Sequence, residues 1–281
     1  MQPLAQHPEP HQHVKVQIRH HATGEVKNNG WFPETDVESV VHVEWQNEQF
    51  PRDRGEYWIA QGDGVIWFHD GRDRIAAAND WRVRRYLYRG IERRLGKLLK
   101  DYLGDGLIKV SDGDCVVNFG ANIGEVSLAL NRMGAHVFAI EPDPYVLPAL
   151  AANARGRRIY IVPCVAWFED GDIDLHIATE KGDTSAINAS DETISVPARR
   201  IDTAVCAEPY LIVGDAEGAE PEVLRGATDT LKRTRYVSIR VGAERNGKCP
   251  GPECKTILGD AGFDILVDEN EILIGKNRAL V

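Results

Sequence analysis

The stretch D-C-V-V-N-F-G-A-N-I-G-E-V-S-L-A-L-N-R-M-G-A-H-V-F-A-I-E-P, Asp114 to Pro142, decides the fold of this chain. A short apolar run, Cys115 to Val117, leads into a glycine turn at Gly120 and Gly124. Val126, Leu128, Ala129, Leu130 and Met133 then recur at helical spacing, and a second apolar run, Val137 to Ile140, ends in Glu141. Strand, glycine turn, helix, strand and acid in this order build a nucleotide-type pocket. Glycine lets the backbone approach a ligand where a Cβ would clash. Unpaired amides at the helix start favour a carboxylate or phosphate, and an acid at the second strand's tip can accept bonds from both ribose hydroxyls. The spacing also argues against two ligand classes. A dinucleotide fingerprint needs G-x-G-x-x-G, but Asn122 stands at the middle glycine, and the G-K-[ST] of a P-loop is absent. Taken alone, G-x-x-x-G also describes a tight turn between packed elements. Glu141, just before Pro142, is what favours a ribose over a core.

Outward from this stretch the chain alternates strand and helix, as a mostly parallel sheet requires. The apolar runs predict strands at 115–119, 136–140, 159–162, 210–214 and 236–241, and helices near 123–133, 144–154, 220–231 and 252–261. An additional alternating pair, 172–178 and 194–198, flanks a polar loop, and 179–192 reads as a flap beside the site. The end, F-D-I-L-V-D-E-N-E-I-L-I-G-K at 263–276, reads as two strands joined by a short turn.

Asp215, Glu217 and Glu220 gather within six residues just past the strand ending at Gly214. Three ionised acids buried together would repel one another, so either one keeps a proton or a cation sits among them. Glu220 precedes Pro221 and suits a helix start, which leaves Asp215 and Glu217 for site work. The alternative for the whole cluster is a cap for the following helix.

Four strings, V-V-N-F-G-A-N-I-G (116–124), I-E-P (140–142), G-D-A-E-G-A-E-P-E-V-L-R-G-A (214–227) and V-G-A-E-R (241–245), resemble the FkbM-type S-adenosylmethionine-dependent methyltransferases. The resemblance covers roughly residues 110 to 275 and implies an α/β, class I (Rossmann-like) methyltransferase sheet. The paired strands at 263–276 are the feature that separates such a sheet from a plain dinucleotide-binding one. The resemblance also implies S-adenosylmethionine as cofactor and O-methylation of a sugar or natural-product hydroxyl. Asn118, Gly120, Ala121, Asn122 and Gly124 would surround the methionine portion, with Glu141 and Pro142 at the ribose. Cys164, Val165 and Ala166, after Pro163, would flank the adenine, an assignment that rests on the resemblance alone. Asp215 would contact cofactor or acceptor, and Asp215 and Glu217 are the candidate catalytic acids. No metal is required.

Three positions depart from the family pattern, which usually has Asp at 118, Lys at 213 and often Asp at 240; here they are Asn118, Val213 and Arg240. Losing a cation at 213 and gaining one at 240 compensate electrostatically. The competing reading is a protein that kept the fold and binds cofactor or partners without methyl transfer.

The region before 110 divides into a polar tail (1–13), a β-rich N-terminal module (14–78) and a helical connector or lid (79–109), ahead of the 110–281 methyltransferase domain. Trp31, Trp45, Tyr57, Trp58 and Trp67 fill either a small core or a sugar-stacking face. Arg82, Arg84, Arg85, Arg89, Arg93 and Arg94 offer either a solvated face or a site for an acidic acceptor or a phosphate. A formal charge of −10 argues against nucleic acid and anionic membranes as partners; a small-molecule or glycan acceptor is what the resemblance implies. No apolar stretch approaches the ~20 residues of a membrane span. The N-terminus lacks the pattern of a signal peptide, and the five cysteines form no regular framework. The expected location is cytoplasmic.

Overall fold

A computed structural model describes residues 14–20, 26–27, 40–47, 54–62, 65–70, 72–79, 82–83, 86, 90–177, 184–188 and 192–280. The tail 1–13, the side chains of Trp31, Trp45, Tyr57 and Trp58, and those of Arg84, Arg85 and Arg89 lie outside this set, as do 179–183 and 189–191 of the flap. The chain divides into two compact units, Met1–Arg94 and Leu95–Val281.

Among the described residues, the first unit holds β1 (Val14–His20), β2 (Val26–Lys27), β3 (Val40–Asn47), β4 (Arg54–Gly62), β5 (Val65–His69) and β6 (Arg74–Ala77). They form one sheet in the order β2-β1-β3-β4-β5-β6, and every pairing is antiparallel. Gly62 pairs with Val65 at the hairpin between β4 and β5, where the sequence carries Asp63 and Gly64. Phe68 is fully buried and stacks on Tyr86 with ring centroids 5.4 Å apart. The Asp70 carboxylate organises the turn after β5. Its Oδ1 accepts from the Asp73 amide at 2.9 Å, and its Oδ2 accepts from the Ile91 amide at 3.0 Å. That second bond serves one of the orphan donors at the start of α1 (Gly90–Tyr102).

In the second unit, β7 (Cys115–Phe119) is followed by α2 (Glu125–Arg132), β8 (His136–Ile140), α3 (Leu147–Ala154) and β9 (Ile159–Val162). Next come β10 (Val165–Ala166), β11 (Gly171–Ile177), β12 (Glu192–Arg199), α4 (Ile201–Ala204), β13 (Leu211–Gly214), α5 (Glu220–Arg225) and α6 (Thr228–Leu231). The unit closes with β14 (Tyr236–Arg240), α7 (Gly251–Asp260), β15 (Phe263–Glu269) and β16 (Ile272–Asn277). The large sheet runs β15-β16-β14-β13-β7-β8-β9, and β10-β12-β11 form a separate small one. In the large sheet β9, β8, β7, β13 and β14 are parallel, and β16 is antiparallel to both β14 and β15. This is the class I methyltransferase arrangement, with the terminal antiparallel pair expected from residues 263–276.

A strand alternates its side chains between faces, so a central strand covered on both sides is apolar throughout. Val116 and Val213 belong to one core cluster, with Leu130 and Leu150. Their neighbours Val117 and Ile212 belong to the opposite cluster, with Val223 and Leu258. Such double burial explains the unbroken apolar runs that made these strands readable.

The helix expected over 220–231 is two helices. Gly226 sits against the Trp167 backbone, where a Cβ would lie 1.8 Å from the carbonyl oxygen, so the chain turns there. The Asp202 carboxylate then caps the second piece, accepting from the Thr230 amide at 2.7 Å and the Asp229 amide at 3.1 Å. Among the described residues no helix is long and apolar enough to cross a membrane.

Candidate functional site

Parallel pairing sets the tips of four strands side by side. Phe119 pairs with Ile140 and with Gly214, and Gly214 pairs with Ile239. The residues that follow, Gly120, Glu141, Asp215 and Arg240, therefore emerge together at the C-terminal edge of the sheet, where open α/β sheets bind ligands.

Gly120 has φ +57°, and a Cβ there would lie 1.7 Å from the Asp215 carbonyl oxygen. Its lack of a side chain is required by the close approach of the chain leaving β7 to the chain leaving β13, its parallel neighbour. Asn122 also takes a left-handed conformation, φ 51°, which its side chain supports by accepting from the Ile123 amide at 2.9 Å. The Asn122 amide points to the neighbouring strand and donates to Glu141 Oε2 at 2.6 Å, while Glu141 Oε1 accepts from the Asp143 amide at 2.9 Å. Glu141 thus pins the glycine turn to the tip of β8. Ala121 reinforces this, its amide donating to the Ile140 carbonyl at 3.0 Å. Gly124 precedes α2 with φ +88°, and a Cβ would press to 2.7 Å from Leu150 Cδ1. The amides of the first turn of α2 have no carbonyl of their own helix to bond.

Asn118 lies beneath the turn, buried, and its amide nitrogen donates to Ser127 Oγ at 2.8 Å. Pro142 joins Glu141 to Asp143 at the β8 tip. Cys164 and Ala166 are buried in the same apolar cluster as Phe119 and Ile140, whereas Val165 packs into the core of the small sheet. Burial pushes the Cys164 thiol up to about 11, so it stays protonated.

At the β13 end, the Asp215 carboxylate is 3.3 Å from Arg240 Nε, and Arg240 also donates to Glu271 Oε2 at 3.0 Å. Of the two alternatives for the acidic cluster, a retained proton or a cation, the cation beside Asp215 is a side chain of the next strand. Val213, at the position that resemblance would give to Lys, is fully buried in the core. Glu217 is left-handed, φ 50°, and its amide donates to Asp215 Oδ1 at 3.3 Å.

Glu220 is fully buried and its Oε1 closes the turn, accepting from the Ala216 amide at 2.7 Å and the Gly218 amide at 3.3 Å. Burial outweighs these bonds and pushes its carboxyl from 4.5 up to about 7. The native state therefore holds a proton that the unfolded chain releases at about 4.5. Stability from Glu220 is fully present below that pH and is lost as pH rises through about 7, a change of roughly 3 kcal/mol from the linkage of the two values. Glu220→Gln is expected to reduce the fall in unfolding free energy over this window, measured by urea titration at several pH values. An unchanged slope would refute the assignment.

Residues 184–188 of the expected flap cross between the two ends of the crevice. Thr184 Oγ1 donates to Asp143 Oδ2 at 2.7 Å, and Ser185 Oγ donates to the Glu217 carbonyl at 3.1 Å. Asn188 Nδ2 donates to the carbonyls of Glu217 at 3.1 Å and Glu244 at 2.6 Å. Glu244 was not singled out from the sequence, although it lies in one of the strings that carried the resemblance. One carboxylate oxygen from each of Asp215, Glu217 and Glu244 lies within 4.8 Å of the others.

Residues 114–264 match the family model described as "Methyltransferase FkbM domain", just over half of the chain. Among curated proteins, the chain is 25% identical over 150 residues to the hexuronic acid methyltransferase AglP of Haloferax volcanii. That match covers 49% of this chain and 59% of the relative, so this chain spans less than two thirds of the relative's length. Among solved structures, it is similar to the methyltransferase FkbM from Methylobacillus flagellatus, at 20% identity and TM-score 0.47, covering 71% of this chain and 56% of that one. It is also similar to the magnesium protoporphyrin IX methyltransferase of Synechocystis with bound SAM, at 12% identity and TM-score 0.42, covering 69% and 83% respectively. With a family model matched across the glycine turn, the acidic string and most of the large sheet, this chain belongs to the methyltransferase FkbM domain family.

Proposed function

We propose that the chain is an S-adenosylmethionine-dependent O-methyltransferase acting on a hydroxyl of a sugar or natural-product acceptor. The observation that carries this reading is Glu141, a carboxylate held by two backbone amides at the tip of β8 and directly beside the glycine turn. The residues fit the cofactor: an oriented acceptor of hydrogen bonds for a ribose diol, and the first-turn amides of α2 for an amino-acid carboxylate. Gly120, Ala121, Asn122, Gly124 and, beneath them, Asn118 form the methionine end. Glu141 and Pro142 take the ribose, and Cys164, Val165 and Ala166 border the adenine. Asp215, fixed by Arg240, and Glu217 stand at the acceptor end.

When bound, the cofactor supplies an electrophilic methyl on a sulfonium. The transition state disperses that positive charge, so the chain's task is alignment and exclusion of water rather than strong charge stabilisation. Residues 184–188, tied to both Asp143 and Glu217, suit the second task. The relative named for hexuronic acid favours a glycan acceptor.

Incubating the full chain with methyl-labelled S-adenosylmethionine and a panel of glycosides that includes hexuronides tests the proposal. The expected result is a mass gain of one methyl on a hydroxyl, mapped by fragmentation. A methyl ester or an N-methyl product would overturn the hydroxyl assignment. Binding without transfer across the panel would favour the second reading, a cofactor-binding protein without turnover, for which the Arg240–Asp215 pair is the supporting observation.

A further inference from the structure

We propose that Glu244 is the base that takes the proton from the acceptor hydroxyl during methyl transfer; this rests on the methyltransferase reading above. The carboxylates at the acceptor end are not equivalent. Asp215 is bound by Arg240, which suits it to holding a position. Glu220 is fully buried, with one oxygen closing the turn through the Ala216 and Gly218 amides. Among the described residues the Oε2 atoms of Glu220 and Glu244 are both buried without a hydrogen-bond partner. Glu220, however, is sealed inside the turn, whereas Glu244 is half-buried and brings an oxygen to the Asp215 and Glu217 carboxylates. A buried acceptor oxygen lacking a donor is uncommon in folded proteins, and an incoming hydroxyl would supply the missing donor.

The loop that carries Glu244 is anchored on both sides. Arg245 grips Glu222 with two bonds of 2.7 Å and donates to the Gly218 carbonyl at 2.9 Å. Asn188 holds the Glu244 carbonyl at 2.6 Å. Gly242 leaves room for the side chain to fold back, since a Cβ there would come within 3.0 Å of Glu244 Cδ. The carboxylate is therefore delivered to Asp215 and Glu217 by a fixed backbone.

The groups around it set its proton affinity. Asp215, Glu217, Glu220 and Glu271 are anionic or acidic neighbours, Arg240 is the opposing cation, and the Tyr102 hydroxyl is coupled to the same group. Burial first, then Asp215 and Glu220, push the Glu244 carboxyl up to about 7. A base is most effective when its affinity lies near the working pH. The step balances: the hydroxyl oxygen bonds to the methyl carbon, the carbon–sulfur electron pair stays on sulfur, and the hydroxyl proton passes to Glu244 and then to solvent.

The test uses the full chain in two arms. In carboxyl carbon NMR titrations, the resonance that disappears in Glu244→Gln is expected to have its midpoint near 7 in the wild type and to move down in Glu220→Gln. A midpoint in the ordinary carboxylate range, or selective loss of that resonance with micromolar Mn²⁺, would overturn the proposal. With an acceptor from the glycoside panel, Glu244→Gln should lower kcat by about 100-fold or more and leave cofactor affinity unchanged. Glu244→Asp should restore part of the rate. A Glu244→Gln protein with wild-type kcat and pH profile would also overturn it. Failure of the wild type to bind S-adenosylmethionine would instead strike the methyltransferase reading, so the two failures are distinguishable.

Discussion

Gly120→Ala is expected to destabilise the protein by more than about 4 kcal/mol, the range in which a single substitution signals a specific steric failure. The added Cβ would lie 1.7 Å from the Asp215 carbonyl oxygen and 2.9 Å from its carbon, both backbone atoms of the adjacent strand end. Neither can swing aside as a flexible side chain would. The left-handed φ of +57° adds its own penalty for a residue with a Cβ. Relief would require β13 to draw away from β7 at the point where Asp215 leaves the sheet, so the acidic end would be lost with the turn. Gly96→Ala is the control. That glycine is exposed within α1 with nothing within 4 Å of the added carbon, and the change should stabilise by about 1 kcal/mol through helix propensity. Urea unfolding of the two variants beside the wild type measures both effects. A Gly120→Ala protein as stable as the wild type would contradict the close approach of Gly120 to the Asp215 backbone.

The second large effect is on cofactor affinity. Glu141→Gln keeps the size and one acceptor oxygen but replaces the other with an amide nitrogen. That nitrogen would face a backbone donor, either the Asn122 amide or the Asp143 amide, which now bond the two carboxylate oxygens at 2.6 and 2.9 Å. One anchoring bond therefore becomes a clash of donors. The ribose hydroxyls also lose a charged acceptor, and hydrogen bonds to charged groups contribute about 1.5–3 kcal/mol each. Affinity should fall by roughly 10- to 100-fold.

How much of this was legible in the sequence depended on how local the cause was. β7, β13 and β14 could be read to within a residue because both faces are buried, and a short unbroken apolar run between turn residues fits a covered strand best. The four-residue β6, R-I-A-A, was too short and too poor in branched residues to stand out. The break at Gly226 was hidden because its cause, the Trp167 carbonyl, is distant in sequence. The same holds at the site. Glu141 announced itself by its position after a strand, and the crowding of Asp215, Glu217 and Glu220 pointed to a proton or a cation. That the cation is Arg240, and that Glu244 joins Asp215 and Glu217, follows from strand order, which sets β14 beside β13. Glu244 itself shows in the sequence only as an acid a few residues past a strand tip.

Calorimetric titration of the full chain with S-adenosylmethionine, wild type beside Glu141→Gln, tests the central claim most directly. The prediction is saturable one-to-one binding by the wild type and a roughly 10- to 100-fold weaker curve for a variant whose circular dichroism is unchanged, a loss of about 1.4–2.7 kcal/mol. Equal affinities for the two proteins, or no binding by the wild type at about a millimolar ligand, would contradict the placement of a sulfonium nucleoside at the tips of β7 and β8.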